Sequence, residues 1–333
     1  MPHKTGCVDT LHRVTITGLE KNTTYFYRVL SQEVKELLPY RPVLGNIVST
    51  DIWEKPLTFT TLDGRQETLS IVMINDIHGK NDLQKKLLEM APPQNVDMVV
   101  FCGDMCNYIN KQSDIFTGFL DTSVGLFASR KPFVYVRGNH ETRGAYARNF
   151  FRYLAGPEGK FYYAFTYGPI RFIVLDSGED KPDTDVEYSG LVDFDNYILE
   201  QKEWLARELE SPEFRAASFR VVLSHIPFGK GSWYGSERLR KQLLPLLESV
   251  RIDLMLSGHN HAFGFMDKGK VTAFPIIVNS NNSVLTMFGS KDLLKVQVKQ
   301  IDGKNSVNND RNYAKYTNNT ILFYLVFIRF SLL

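Results

Sequence analysis

The chain predicts an α/β domain preceded by a shorter all-β stretch, and three observations carry that expectation. Six nearly continuous apolar runs, at 69–74, 98–101, 133–136, 172–175, 221–223 and 254–256, read as strands covered on both faces. Helical spacing of apolar residues fills several of the gaps between them, which implies strand-helix-strand units. Polar residues of metal-binding type follow most of the runs, at the strand ends where open α/β sheets build their sites.

The helical segments follow from side-chain spacing. Leu83, Leu87 and Leu88 share one face over 82–90, and Trp204, Leu205 and Leu209 share another over 200–210. Leu239, Leu243, Leu246, Leu247 and Val250 extend a third over 236–250. Ahead of the α/β pattern, residues 1–62 read as β. Arg13–Thr17 and Thr24–Val29 alternate apolar and polar residues around a turn at Gly18–Asn22, and Pro56–Thr61 forms a later strand. After it, Leu293–Ile301 alternates as an edge strand does. Residues 304–333 form an atypical tail, rich in Asn and then apolar, with neither strand alternation nor a helix stop signal. The final apolar stretch is interrupted by Arg329 and is shorter than the roughly 20 residues that a membrane span takes.

Composition bounds the function. The chain has 333 residues, 43% of them hydrophobic, enough for one large core with a small appended module. Its 39 basic and 37 acidic residues give a net charge of +2, so no broad nucleic-acid footprint is expected. Cys7, Cys102 and Cys106 show no zinc-finger spacing, and Cys102 reads as a buried thiol at the end of an apolar run. Met1 leads straight into a polar stretch with no signal-peptide pattern.

The chemistry lies in five short motifs: Asp76-Ile-His78, Gly103-Asp104, Gly138-Asn139-His140-Glu141, His225, and Gly258-His259-Asn-His261. Oxygen and nitrogen donors of this kind suit a pair of divalent first-row ions. Of the seven histidines in the chain, all but His3 and His12 fall inside these motifs, a concentration that raises a metal site above isolated structural histidines. In extended geometry Asp76 and His78 would face the same side, and so would His259 and His261. Asp104 offers two oxygens able to bridge two ions, and the preceding glycines let the backbone turn sharply.

The motif series resembles the calcineurin-like metallophosphoesterase superfamily over roughly residues 68–303. The resemblance implies a four-layer α/β/β/α sandwich with a dinuclear centre of Mn, Fe, Zn or a mixed pair. It also implies roles. Asp76, His78 and His261 would hold one ion and Asn139, His225 and His259 the other, with Asp104 bridging. His140 would stand beside the phosphate, with Glu141 as its orienting partner. A hydroxide activated between the ions would attack phosphorus, while the ions and His140 stabilise the oxygens and His140 protonates the leaving group.

The layout is similar to that of purple acid phosphatases, through the strand Tyr162–Phe165, the segment Leu175–Ser177 and the Gln201, Trp204, Leu205 helix. The spacing of Leu19, Thr23, Tyr25, Tyr27 and Val29 resembles a fibronectin type III segment, here a partial β-sandwich module shorter than the roughly 100 residues of a full one. Two positions depart from the purple pattern. His78 stands where those enzymes have Gly, and Asn107 stands where they have a tyrosine ligand, with Tyr108 one step late. His78 is then expected to replace the tyrosine.

The expected substrate is a small phosphorylated ester, a monoester before a diester, and family analogy points to an extracytoplasmic enzyme. Lys230, Trp233 and Tyr234 follow His225 in a Gly-rich loop and either face the substrate or form a solvated loop with one packed aromatic. The competing readings are a nuclease of the same superfamily and a non-catalytic metal-binding or adhesion protein.

Overall fold

The computed structural model describes residues 11–12, 14, 16–62, 66–229, 231–302 and the backbone of 305–311. The N-terminal part contains β1 (Thr24–Tyr27), β2 (Leu30–Leu37), β3 (Pro42–Ser49) and β4 (Leu57–Thr60). The α/β part begins with β5 (Thr68–Ile74), β6 (Met98–Cys102) and β7 (Phe133–Val136). It continues with β8 (Tyr163–Tyr167), β9 (Ile170–Leu175), β10 (Phe219–Ser224), β11 (Leu254–Ser257), β12 (Gly264–Met266) and β13 (Ile276–Val278). It closes with β14 (Ser283–Ser290), β15 (Leu294–Gln300) and β16 (Asn305–Arg311).

Two six-stranded mixed sheets result, ordered β16-β15-β14-β5-β6-β7 and β12-β13-β11-β10-β9-β8. In the first, β5, β6 and β7 run parallel. In the second, β9, β10, β11 and β13 do.

Strand periodicity explains the layering. Leu69, Ile71 and Met73 of β5 point inward and meet Phe172 and Val174 of β9 and Val221 and Leu223 of β10 in one core between the sheets. Val72 and Ile74 point the other way, into a core shared with Leu87 and Leu88 of the helix Asn81–Met90. Ile173 and Leu175 likewise face Ile198 and Leu205 of the helix Phe194–Leu209. These strands are therefore apolar on both faces, and the layers run α/β/β/α. Phe172 is fully buried and stacks on Phe165 at 4.9 Å between ring centroids.

Three expectations are corrected. The helix predicted over 236–250 is two helices, Tyr234–Gln242 and Leu244–Glu248. Pro245 lacks the amide needed to continue the first one and sits instead in the first turn of the second. Val14, Ile16 and Thr17 are not in a strand, and Val14 and Ile16 are exposed. No neighbouring strand pairs with them among the described residues, and an unpaired strand has no ladder to hold it. Residues 13 and 15 of that segment lie outside the described residues.

Among the described residues the N-terminal strands form two two-stranded sheets, β1 paired with β4 and β2 with β3. The contact Tyr27 Oη to the Ser129 carbonyl, 2.6 Å, ties β1 to the larger part. Lastly, β15 is not the edge of its sheet, because β16 pairs along it antiparallel. The tail thus supplies a strand over 305–311, and 312–333 lie outside the described residues. No helix among the described residues is long and apolar enough to cross a membrane.

Candidate metal centre

The five motifs meet where the parallel strands of both sheets end. Asp76 and His78 follow β5, Asp104 follows β6, and Asn139 and His140 follow β7. His225 follows β10, and His259 and His261 follow β11. Two of the loops are laced together by backbone hydrogen bonds: Asp76 N to Gly103 O (3.0 Å), His78 N to Asp104 O (2.9 Å) and Gly79 N to Met105 O (2.9 Å).

The backbone at these positions is left-handed. Among the described residues eight non-glycines have positive φ, and five of them are Asp76 (55°), His78 (50°), Asp104 (54°), His259 (72°) and His261 (54°). Each such residue costs on the order of 1 kcal/mol and persists only where its surroundings over-determine it. Asp76 and His78 therefore do not face one side by extended alternation. Left-handed turns aim them.

Among the described residues three groups of potential ligand atoms form, each with its members within 4.8 Å of one another: Asp76, His78 and His261; His78, Asp104 and His140; and Asp104, His225 and His259. Asn139 Oδ1 lies 3.1 Å from His259 Nδ1, so Asn139 joins the third group. All seven residues expected to be ligands are thus brought together, with His140 at their margin.

Second partners fix which atoms face inward. Asp76 Oδ2 accepts from the His259 amide at 2.9 Å and from Asn75 Nδ2, which leaves Oδ1 free. That Oδ1 is 3.2 Å from His261 Nε2 and 3.9 Å from both His78 Nε2 and His225 Nε2. Asp104 Oδ1 accepts from the His140 amide at 3.0 Å, while Oδ2 faces His225 Nε2 at 3.1 Å. His225 Nδ1 donates to the Cys102 carbonyl at 2.7 Å, which turns Nε2 toward the carboxylates.

Asp76 Oδ1, His225 Nε2 and His259 Nε2 are buried without a hydrogen-bond partner. Orphaned buried polar atoms are costly and rare. Two of them, Asp76 Oδ1 and His225 Nε2, lie 3.9 Å apart, and a carboxylate oxygen beside an imidazole nitrogen fits a divalent cation as the missing partner.

Electrostatics agree. Burial pushes His78 down to about 4 and His259 down to about 3, so both rings are neutral, the form that binds a metal. Burial alone would also lower His225, but the Asp104 and Asp76 carboxylates push it up to about 10. Burial opposes ionisation of Asp104, yet His225 and His140 hold it well below the usual carboxylate range. A divalent cation would replace the His225 proton as the positive partner of Asp104.

Glu141 is corrected. It was expected to orient His140, but its buried carboxylate accepts three backbone amides: Asp104 N (2.9 Å), Cys106 N (2.9 Å) and Gly138 N (2.8 Å). The group holding His140 is the Asn107 carbonyl, 2.8 Å from Nδ1. Sequence adjacency pointed to a side-chain partner, whereas the turn at His140–Thr142 aims Glu141 at the loop amides instead.

Close packing of the loops explains Gly138. A Cβ there would lie 2.1 Å from Asp104 Oδ1 and 2.4 Å from the Asp104 amide nitrogen. Gly138→Ala must shift the Asp104 backbone. It is expected to cost roughly 2–3 kcal/mol, as overpacking does, and to strip the ions. Thermal melting and metal analysis of the variant check both effects, and an unchanged metal content would contradict the packing argument.

Several site residues were not read from sequence. Asn75 and Asn279 hydrogen-bond to each other and brace Asp76 from behind. Asn279 follows the apolar run of β13, the same strand-end pattern that marked the other motifs. Asp176 pairs with Arg137 at 2.6 Å and joins the ends of β9 and β7 beneath the site. Trp233 sets its ring edge-on to His259 at 4.5 Å, whereas Tyr234 turns away to Asp195. Lys230 lies outside the described residues.

The calcineurin-like phosphoesterase family model matches residues 69–263. Purple acid phosphatase 22 of Arabidopsis thaliana is 24% identical over 273 residues, covering 76% of this chain and 53% of that protein. The purple acid phosphatase of Glycine max is 24% identical over 295 residues, covering 80% of this chain and 55% of its own length. A solved purple acid phosphatase from yellow lupin (Lupinus luteus) seeds shares the fold with a TM-score of 0.59 at 15% identity, over 87% of this chain and 60% of that one. The chain spans a little over half the length of these curated relatives.

Proposed function

Because the chain belongs to the calcineurin-like phosphoesterase family, we propose that it hydrolyses phosphomonoesters, with phosphodiesters as the second substrate class, at a centre of two divalent ions. The observation that carries this reading is the convergence of Asp76, His78, Asp104, His225, His259 and His261 at the sheet ends, in groups whose ligand atoms lie within 4.8 Å of one another. Asp76, His78 and His261 would hold one ion and Asn139, His225 and His259 the other, with Asp104 shared. Bound there, the ions would supply Lewis acidity that activates water and neutralises phosphate charge.

The protein's own part is positioning. Asn75 and the His259 amide fix Asp76, the Cys102 carbonyl fixes His225, and the His140 amide fixes Asp104. His140 is tethered at Nδ1, so Nε2 faces inward as the acceptor nitrogen, able to take up a proton. Trp233 packs edge-on against the His259 ring on that side of the site.

The test is hydrolysis of chromogenic mono- and diesters by metal-loaded protein, with His140→Ala alongside. That variant is expected to keep both ions and lose roughly 10²–10⁴-fold in turnover, the range for a positioned acid–base group. Loss of an ion would make His140 a ligand, as its grouping with His78 and Asp104 permits, and would break the assignment.

Colour gives an independent check. Asn107 uses its carbonyl on His140, and Tyr108 is half-exposed. Iron-loaded protein is expected to lack the intense visible band of a tyrosinate centre. A purple band lost in Tyr108→Phe would contradict this.

A further inference from the structure

Building on the phosphoesterase reading, we infer that Arg143 is a substrate-contacting residue, donating through Nη1 to a non-bridging phosphate oxygen. Its guanidinium is locked from behind. Nε donates to Glu179 Oε1 at 2.8 Å, and Nη2 donates to Glu179 Oε2 at 3.2 Å and to Asp180 Oδ1 at 3.4 Å. Glu179 is fully buried, and its own segment is anchored by Arg238 Nη2, which donates to the Glu179 carbonyl at 2.7 Å. Thr142 Oγ1 adds a bond to Glu179 Oε1 at 3.1 Å. A rigid fork with two edges occupied leaves Nη1 as its forward donor.

That donor points into the site. Nη1 is 3.3 Å from His140 Nε2, and His140 Nε2 is 3.9 Å from Asp104 Oδ2. An arginine stays protonated and has no acceptor, so Nη1 donates and Nε2 accepts. The other ring nitrogen, 2.8 Å from the Asn107 carbonyl, must then donate. In this arrangement His140 has no inward-facing N–H to offer an anion. The N–H groups at that side of the centre belong to Arg143, whose side chain remains 24% exposed. A guanidinium is also the better geometric match to phosphate oxygens. The two carboxylates fix its plane from behind and leave the forward edge open to an anion.

The experiment uses the full, metal-loaded chain with inorganic phosphate as competitive inhibitor and p-nitrophenyl phosphate as substrate. Arg143→Met is expected to raise both the phosphate inhibition constant and KM by roughly tenfold or more, the loss of one charge-assisted hydrogen bond, with metal content unchanged. Arg143→Lys should recover part of the loss, and millimolar guanidinium ion should partly rescue Arg143→Met. Unchanged KM and phosphate inhibition in Arg143→Met would overturn this inference alone, as would a lowered melting temperature with no guanidinium rescue. Wild-type protein that takes up no ions and hydrolyses neither ester class would overturn the phosphoesterase reading and this inference with it.

Discussion

Asp104→Ala is expected to bind neither ion and to show phosphoesterase activity at background. The carboxylate occupies the centre of the site. Its Oδ2 faces His225 Nε2 at 3.1 Å and lies 3.9 Å from His140 Nε2, and Asp104 belongs to two of the three ligand groups. Its Oδ1 is tied to the His140 amide, so removal also frees the loop that presents Asn139 and His140. Breaking a buried ionic pair by deleting one member leaves the other uncompensated, at a cost of roughly 3–5 kcal/mol. Here the survivor is fully buried His225, which would lose the carboxylate that favours its charged form. Metal analysis together with turnover on an aryl monoester checks the expectation. Retention of one ion at full occupancy would show that Asp104 is not shared.

Glu141→Ala is expected to produce the largest loss of stability of any single change at the site. Three backbone amides, those of Asp104, Cys106 and Gly138, end on this one carboxylate. Each buried amide left without an acceptor costs roughly 1–3 kcal/mol, so the sum over three is roughly 3–9 kcal/mol. In a domain of this size that lowers the melting temperature by roughly 10 °C or more. Glu141→Gln keeps one acceptor oxygen and should fall between the two. Differential scanning calorimetry decides the matter. A Glu141→Ala protein as stable as wild type but inactive would restore the role of side-chain partner to His140.

The legible parts of this fold share one physical property. β5, β6, β7, β9, β10 and β11 are buried on both faces, so their apolar runs are continuous and stand out from the polar loops. β2 and β3 pair with each other while leaving Leu30, Leu37, Leu44 and Ile47 exposed. With neither face committed to a core, their sequences carry no clean alternation to read. β12 and β13 are three residues each, too short for any period to show.

The site divides in the same way. The seven candidate ligands were legible because donors appear abruptly after apolar runs. The left-handed turns at Asp76, His78, Asp104, His259 and His261 were not, because tertiary hydrogen bonds impose them against local preference. The Arg143–Glu179 pair joins segments 36 residues apart and has no local signature. The role of Glu141 has no local signature either, because neighbours in sequence need not be neighbours in side-chain direction.

The most direct test of the central claim is metal stoichiometry measured with activity on one sample. Protein stripped by a chelator and reloaded with Mn, Fe or Zn should take up two ions per chain. Its hydrolysis of a chromogenic phosphomonoester should be absent when stripped and return as the second ion fills. Full activity in metal-free protein, or reloading that stops at one ion with activity restored, would contradict the dinuclear account.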